Sequence, residues 1–145
     1  MKILILAPQP FYTQRGTPIA IRNLASVLGE AGHQIDLMTF PEGKDIEIPN
    51  TRILRVWSIP LIGQVPVGFS IKKLLYDFLM ISAVLWKVLT KRYDVIHAVE
   101  ESVYIALLCA PIKRSRVIYD MDSSMADQLL EKWHILRRLK GLLNW

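Results

Sequence analysis

Short, nearly unbroken apolar runs alternate with longer segments of helical spacing along this chain of 145 residues, and that rhythm restricts the fold more than any single motif. The run Lys2-Ile3-Leu4-Ile5-Leu6-Ala7 has no polar alternation. It therefore reads as a strand buried on both faces, as in a parallel sheet covered by helices on each side. A loop over Pro8 to Gly16 follows, and Thr17 offers an N-cap with Pro18 at the first helical position. Ile19, Leu24, Val27, Leu28 and Ala31 then keep helical spacing until Gly32. His33 to Phe40 is a second strand, Pro41 to Asn50 a polar turn region, and Arg52 to Ile59 a third strand. Pro60, Gly63, Pro66 and Gly68 mark an irregular connection before a helix over Ile71 to Thr90. Asp94 to Val99, Glu101 to Ala110, Ser115 to Asp120 and the segment from Ser123 onward continue as strand, helix, strand and helix.

Strands alternating with helices imply a doubly wound, parallel, Rossmann-like α/β sheet of about five strands in three layers, because right-handed crossovers place helices on both faces. Residues 1–145 fit one domain, with no internal repeat or low-complexity tract. Ligands of such sheets bind beyond the carboxyl ends of the strands, where the strand order reverses, here expected between the first and fourth strands. The loops to watch are Pro8 to Thr17, Ala98 to Ser102 and Asp120 to Ser124.

Composition removes several classes of function. A hydrophobic content of 52% supports a buried core, and the single cysteine, Cys109, lies in an apolar run. No disulfide framework can form, a reducing compartment is expected, and the thiol reads as a small core hydrophobe. The N-terminal run is too short for a secretory signal. The stretch Leu74 to Leu89 is broken by Asp77 and Lys87 and falls short of the roughly 20 apolar residues a bilayer requires. The net charge of +5 is scattered rather than gathered into a basic stripe. Nucleic acid is therefore not the expected partner; the phosphates of a small ligand, or an anionic lipid surface, suit the balance better.

Near the strand ends, Glu100 and Glu101 are candidates for hydroxyl recognition, and as first-turn carboxylates they also suit a helix dipole. His97 lies inside an apolar strand and reads as packed and hydrogen-bonded. Asp122 and Ser123 are good N-cap types for the segment that follows, a role compatible with function.

The N-terminal strand, Arg15-Gly16-Thr17-Pro18, the Gly32-His33 helix exit, and Tyr93-Asp94-Val95-Ile96-His97-Ala98 occur in an order and spacing that resemble a known family. The whole chain resembles the N-terminal, acceptor-side domain of a GT-B-fold retaining glycosyltransferase of family 4. That resemblance implies two Rossmann-like domains facing a cleft, with a nucleotide-diphosphate sugar held mostly by a second, C-terminal domain that this sequence lacks. The end of the sequence at Leu142-Leu143-Asn144-Trp145 then corresponds to the helix leading toward that domain, and the chain alone is expected to be inactive. Gly16, Thr17 and Ser123 are the implied donor contacts, Gly16 by letting backbone N–H groups approach the diphosphate. A tight turn before the cap is the plainer account of Gly16. Arg15, Glu100 and Glu101 are implied on the acceptor side, with Arg15 equally readable as a solvated loop cation. Asp122 stands where many relatives carry a histidine near the reacting centre. A carboxylate can accept a hydrogen bond from a sugar hydroxyl but repels a departing phosphate unless protonated, which puts the histidine's role in question. Asp120 and Asp122 form an Asp-x-Asp pair, but the family resembled uses no metal, and neither metal nor other cofactor is expected.

A rival is a non-catalytic, flavodoxin-like binding module or the partner subunit of a split transferase. A phosphoacceptor receiver would carry acidic residues after the first strand, where Ala7-Pro8-Gln9 stand, and a dinucleotide fold would carry Gly-x-Gly-x-x-Gly there. The expected setting is cytoplasmic, with peripheral contact at the inner face of the membrane. That contact is assigned to the last segment, where Leu129, Leu130, Trp133, Leu136 and Leu143 oppose Lys132, Arg137, Arg138 and Lys140. Ile71 to Thr90 reads instead as a core face with solvated cations.

Overall fold

The apolar run at the N-terminus is the centre of a five-stranded parallel sheet in a computed structural model that describes residues 1–59 and 71–121. Its elements are β1 (Lys2–Ala7), α1 (Gly16–Glu30), β2 (Gln34–Thr39), β3 (Thr51–Arg55), α2 (Ile71–Thr90), β4 (Val95–Val99), α3 (Ser102–Lys113) and β5 (Arg116–Asp120). The strand order is β3-β2-β1-β4-β5. β1 pairs in parallel with β2, Leu4 opposite Asp36, and with β4, Leu4 opposite Ile96. The chain thus moves outward from β1 in one direction and then returns to start again beside it. The order reverses between β1 and β4, as the alternation of elements requires.

Successive strand residues point to opposite faces, so the sheet divides the core in two. On one face Ile3, Ile5, Ile35, Leu37 and Val95 pack with Ile21 and Ala25 of α1. On the other, Leu4, Leu6, Met38, Ile96 and Ala98 pack with Tyr76, Met80, Val84 and Val88 of α2 and with Ile105, Ala106 and Cys109 of α3. The four α2 residues recur every fourth position, one stripe of the helix. Cys109 is fully buried, and burial pushes its thiol pKa up, as suits an inert core residue.

Element ends follow local chemistry. Gly32, at φ +82°, closes α1: its N–H donates to the Gly29 carbonyl, and that of His33 to Leu28. β3 is shorter than the run Arg52 to Ile59 suggests, since its pairing with β2 stops at Arg55 opposite Thr39. α3 continues past Ala110 through Pro111 to Lys113. The helix expected from Ser123 onward lies outside the described residues.

One buried charge ties the lower edge of the sheet together. Asp36 of β2 accepts two hydrogen bonds from Arg52 Nη2, at 2.7 and 2.9 Å, and one from the Tyr93 hydroxyl at 2.6 Å; Lys91 Nζ lies 3.5 Å away. Burial raises its pKa, but the Tyr93 and Arg52 hydrogen bonds and the two cationic charges outweigh that, and the net direction is down. The same contacts push the Tyr93 hydroxyl above its ordinary range, burial first and the carboxylate second. A carboxylate with a lowered folded pKa contributes stability above its unfolded pKa, and that contribution is lost as pH falls below about 4. Asp36→Ala should therefore lower unfolding stability by about 2 kcal/mol at neutral pH and weaken the acid dependence, read from urea unfolding at pH 7 and pH 3.

Candidate functional site

Because all five strands are parallel, every strand-to-helix loop emerges on the same edge, and the β1 and β4 loops are neighbours there. The β1 loop has a fixed half and an open half. In the fixed half, Phe11 is fully buried and its N–H donates to the Glu42 carbonyl at 3.0 Å. Tyr12 and Lys44 exchange backbone hydrogen bonds at 2.9 and 3.2 Å. Arg55, at the end of β3, donates through Nη1 to the Phe11 carbonyl at 2.6 Å and the Glu42 carbonyl at 2.9 Å, and pairs with Asp45 at 2.6 Å. Gly43, at φ +120°, closes this contact; a Cβ there would stand 2.1 Å from the Phe11 carbonyl oxygen.

The open half is Gln14, Arg15 and Gly16, all exposed. α1 begins at Gly16 with Arg15 as its N-cap, in extended backbone at φ −136°, ψ 163°, and without a side-chain cap. Thr17 is therefore not the N-cap that its type suggests. The Arg15 carbonyl accepts the Ile19 N–H at 3.1 Å, which starts the helix two residues earlier. Pro18 then falls at the third helical position, where a missing N–H still costs nothing because the first turn has no intrahelical acceptors. The first turn contains no acidic residue, so the positive end of the helix dipole is uncompensated by a side chain. Gly16 has no positive φ, and among the described residues no heavy atom lies within 4 Å of where a Cβ would sit. Neither turn geometry nor internal packing explains the glycine. The N–H groups of the first turn are of the kind that can receive an anion.

After β4, Glu100 takes φ +52°, and its N–H donates to the Asp120 carbonyl at 2.9 Å. Ser102 Oγ donates to the Val99 carbonyl at 2.7 Å and lies 3.1 Å from the Leu6 carbonyl, fixing the start of α3 against β1 and β4. Both glutamates turn to α2: Lys73 Nζ lies 3.8 Å from Glu100 and in direct ion-pair contact with Glu101. The Glu100 and Glu101 side chains are 13% and 16% exposed and that of Lys73 is 13% exposed, so the three form one largely buried group. Asp77 lies one turn along α2 from Lys73, with its Oδ1 buried and unbonded among the described residues. Burial, and secondly the charge of Glu101, push the Asp77 pKa up to about 7, against the opposing pull of Lys73.

His97 Nε2 is 3.4 Å from Asp120 Oδ2, a half-buried pair across β4 and β5 that fits the packed role expected of this histidine. Asp122 and Ser123 lie outside the described residues. Among the described residues no group of three metal-ligating side chains comes together, and no helix is long and apolar enough to cross a membrane.

The structure thus places Arg15, Gly16 and Thr17 on the β1 side of the switch point and joins Glu100 to Glu101 on the β4 side through Lys73. Gly43 and Arg55 are residues that sequence reasoning passed over; Asp77 entered it only as an interruption of an apolar stretch, and Lys73, one of the cations expected to be solvated, is instead 13% exposed and ion-paired. For Lys73 and Asp77 a signal existed: a lysine and an aspartate four apart, one helical turn, in a largely apolar helix.

No family model matches this sequence, and no curated protein resembles it closely enough to be identified as a relative. Among solved structures, a sucrose-phosphate synthase from Thermosynechococcus elongatus is similar in fold, with a TM-score of 0.64 and 19% identity. The match covers 84% of this chain and 33% of the synthase chain, so this sequence corresponds to about a third of that enzyme. At that identity the likeness establishes the Rossmann-like fold.

The raised Asp77 pKa has a definite sign. Between about pH 4 and pH 7 the folded chain binds a proton that the unfolded chain releases, so this group's contribution to stability is lost as pH rises through that window. Asp77→Asn should flatten this dependence and leave the protein about 1–2 kcal/mol more stable at pH 8 than the parent, after allowance for solvent screening, with little difference at pH 4. Urea midpoints at the two pH values read the effect.

Proposed function

We propose that this chain is the acceptor-side half of a cytoplasmic glycosyltransferase of the GT-B type, similar to family 4, that transfers a sugar from a nucleotide-diphosphate sugar to an acceptor with retention of configuration. The observation that carries this reading is the open α1 N-terminus at the switch point of a sheet whose fold is shared with a sucrose-phosphate synthase. Two backbone N–H groups at the positive end of a 15-residue helix suit a diphosphate, and Gly16 leaves room for its oxygens. Arg15 adds a cation on the same loop.

Within this reading, Glu100 and Glu101 act on the acceptor side as a pair whose charge is balanced by Lys73, presenting a polar wall rather than a free base. Asp122 and Ser123 are proposed beside the reacting centre on their place in the sequence alone. A second, donor-binding domain or subunit supplies the rest of the cleft, and no metal or other cofactor takes part. In the rival reading, a binding module without chemistry, the Lys73 group is scaffold and the α1 terminus still holds an anion, so binding by itself does not separate the two.

Transfer does. In an enzyme carrying this chain with its donor-binding domain, Gly16→Val should lower sugar transfer by about ten- to a hundredfold, because the added side chain displaces the diphosphate from the helix terminus. Thermal unfolding should move little, since nothing among the described residues packs against the position of a Cβ at Gly16. Unchanged transfer, or no transfer by the two-domain parent with any nucleotide-sugar, counts against the proposal.

A further inference from the structure

Lys73 stands among more carboxyl groups than one ammonium can neutralise. Its Nζ lies 3.8 Å from Glu100 and in direct ion-pair contact with Glu101, and Asp77 follows one turn along the same side of α2. With all three acids ionised, three negative charges would face one positive charge in a largely buried contact, which is costly. The group is at its least costly with one proton on a carboxyl.

Local structure decides which carboxyl holds it. Glu100 and Glu101 immediately precede Ser102, the first residue of α3, where the positive end of that helix favours charged carboxylates. Asp77 lies past the first turn of α2, out of reach of either helix end, with its Oδ1 buried and unbonded among the described residues. The proton therefore belongs to Asp77. Burial, and then the Glu101 charge, bring its pKa to about 7, so the proton leaves close to neutral pH. The charged groups that bear on Asp77 are thus Lys73 on its own helix and Glu101 at the start of α3, with Glu100 joined through Lys73. Asp36 of β2 is held by Arg52 and Tyr93 with Lys91 beside it, near the other end of α2, and His97 of β4 points to the opposite face of the sheet, paired with Asp120. The Cys109 thiol is buried in the core layer, and Lys72 and Tyr104 are exposed.

We infer that Asp77 is a positioning residue for Glu100 and Glu101: neutral, it leaves Lys73 to the two glutamates and the loop after β4 is held against α2, whereas ionised it competes for Lys73, repels Glu101 and loosens that loop. The movement is confined to the loop, because the Ser102 hydroxyl keeps the start of α3 bonded to the Val99 and Leu6 carbonyls. Glu100 is the point that gives, since it sits at φ +52°, a left-handed conformation disfavoured for a residue with a side chain. That the loosened carboxylates then meet the hydroxyls of a ligand rests on the acceptor-side role proposed for them.

The test is amide hydrogen exchange of the full chain, followed by NMR between about pH 5.5 and pH 8.5 and corrected for the intrinsic rate. The Glu100, Val103 and Tyr104 N–H groups, which donate to the Asp120, Glu100 and Glu101 carbonyls, are the reporters. Their protection should fall about tenfold as pH rises through about 7, the equivalent of one pK unit. Asp77→Asn leaves Lys73 to the glutamates at every pH, so protection should keep its low-pH value. Glu101→Gln removes the charge that opposes ionisation of Asp77, so the fall should move to lower pH. Equal protection at about pH 6 and about pH 8 in the parent, a fall that persists in Asp77→Asn, a midpoint that Glu101→Gln leaves in place, or a loss confined to the amides of β1 overturns the inference. No nucleotide-sugar enters the measurement, so this device and the glycosyl-transfer reading fail separately.

Discussion

The structure depends on the burial of β1 on both faces and along both edges. A strand without a polar face cannot tolerate solvent on either side, so helices must cover both faces of the sheet. Having neighbours on both edges, β2 and β4, it must be the place where the chain turns back and starts again. The convergence of the β1 and β4 loops and the exposed start of α1 both follow from that placement. The meeting of these loops at one edge is therefore a consequence of how the core is made, and the residue types in them decide what that edge can hold.

The two sides of the switch point differ in electrostatic character. On the β1 side stand backbone donors and the Arg15 cation, with no carboxylate in the first helical turn. On the β4 side two glutamates and an aspartate surround one lysine in a partly buried group. A ligand with an anionic end and a hydroxylated end would find complementary partners in that order, since carboxylates accept from hydroxyls and the helix terminus donates to anions.

Periodicity made the strands and helices legible because it is a local property: β1 and α2 occupy the residues at which the apolar pattern begins and ends. The failures have physical sources. Thr17 is the better cap by type, but the Arg15 carbonyl engages Ile19 first, and proline at the third position does not oppose an earlier start. The pairing of Lys73 with Glu100 and Glu101 joins residues far apart in sequence, and no spacing rule connects them. Reading Ile71 to Thr90 as a core helix accounts for only one side of it, since Phe78, Trp86 and Leu89 are exposed; a sequence window counts apolar residues without knowing how many neighbours the fold brings. The turn that was the alternative account of Gly16 finds no support in its φ, which is not positive.

The contact of Gly43 with Phe11, clamped by Arg55, joins the loops after β1 and β2 into one mechanical body. Residues lengthening or shortening the 41–45 turn would transmit their displacement to the start of α1, although none of them lies in the open half of the β1 loop. Such a chain is constrained in how it diversifies. The turn after β2 must keep its length for the helix terminus across from it to keep its aim.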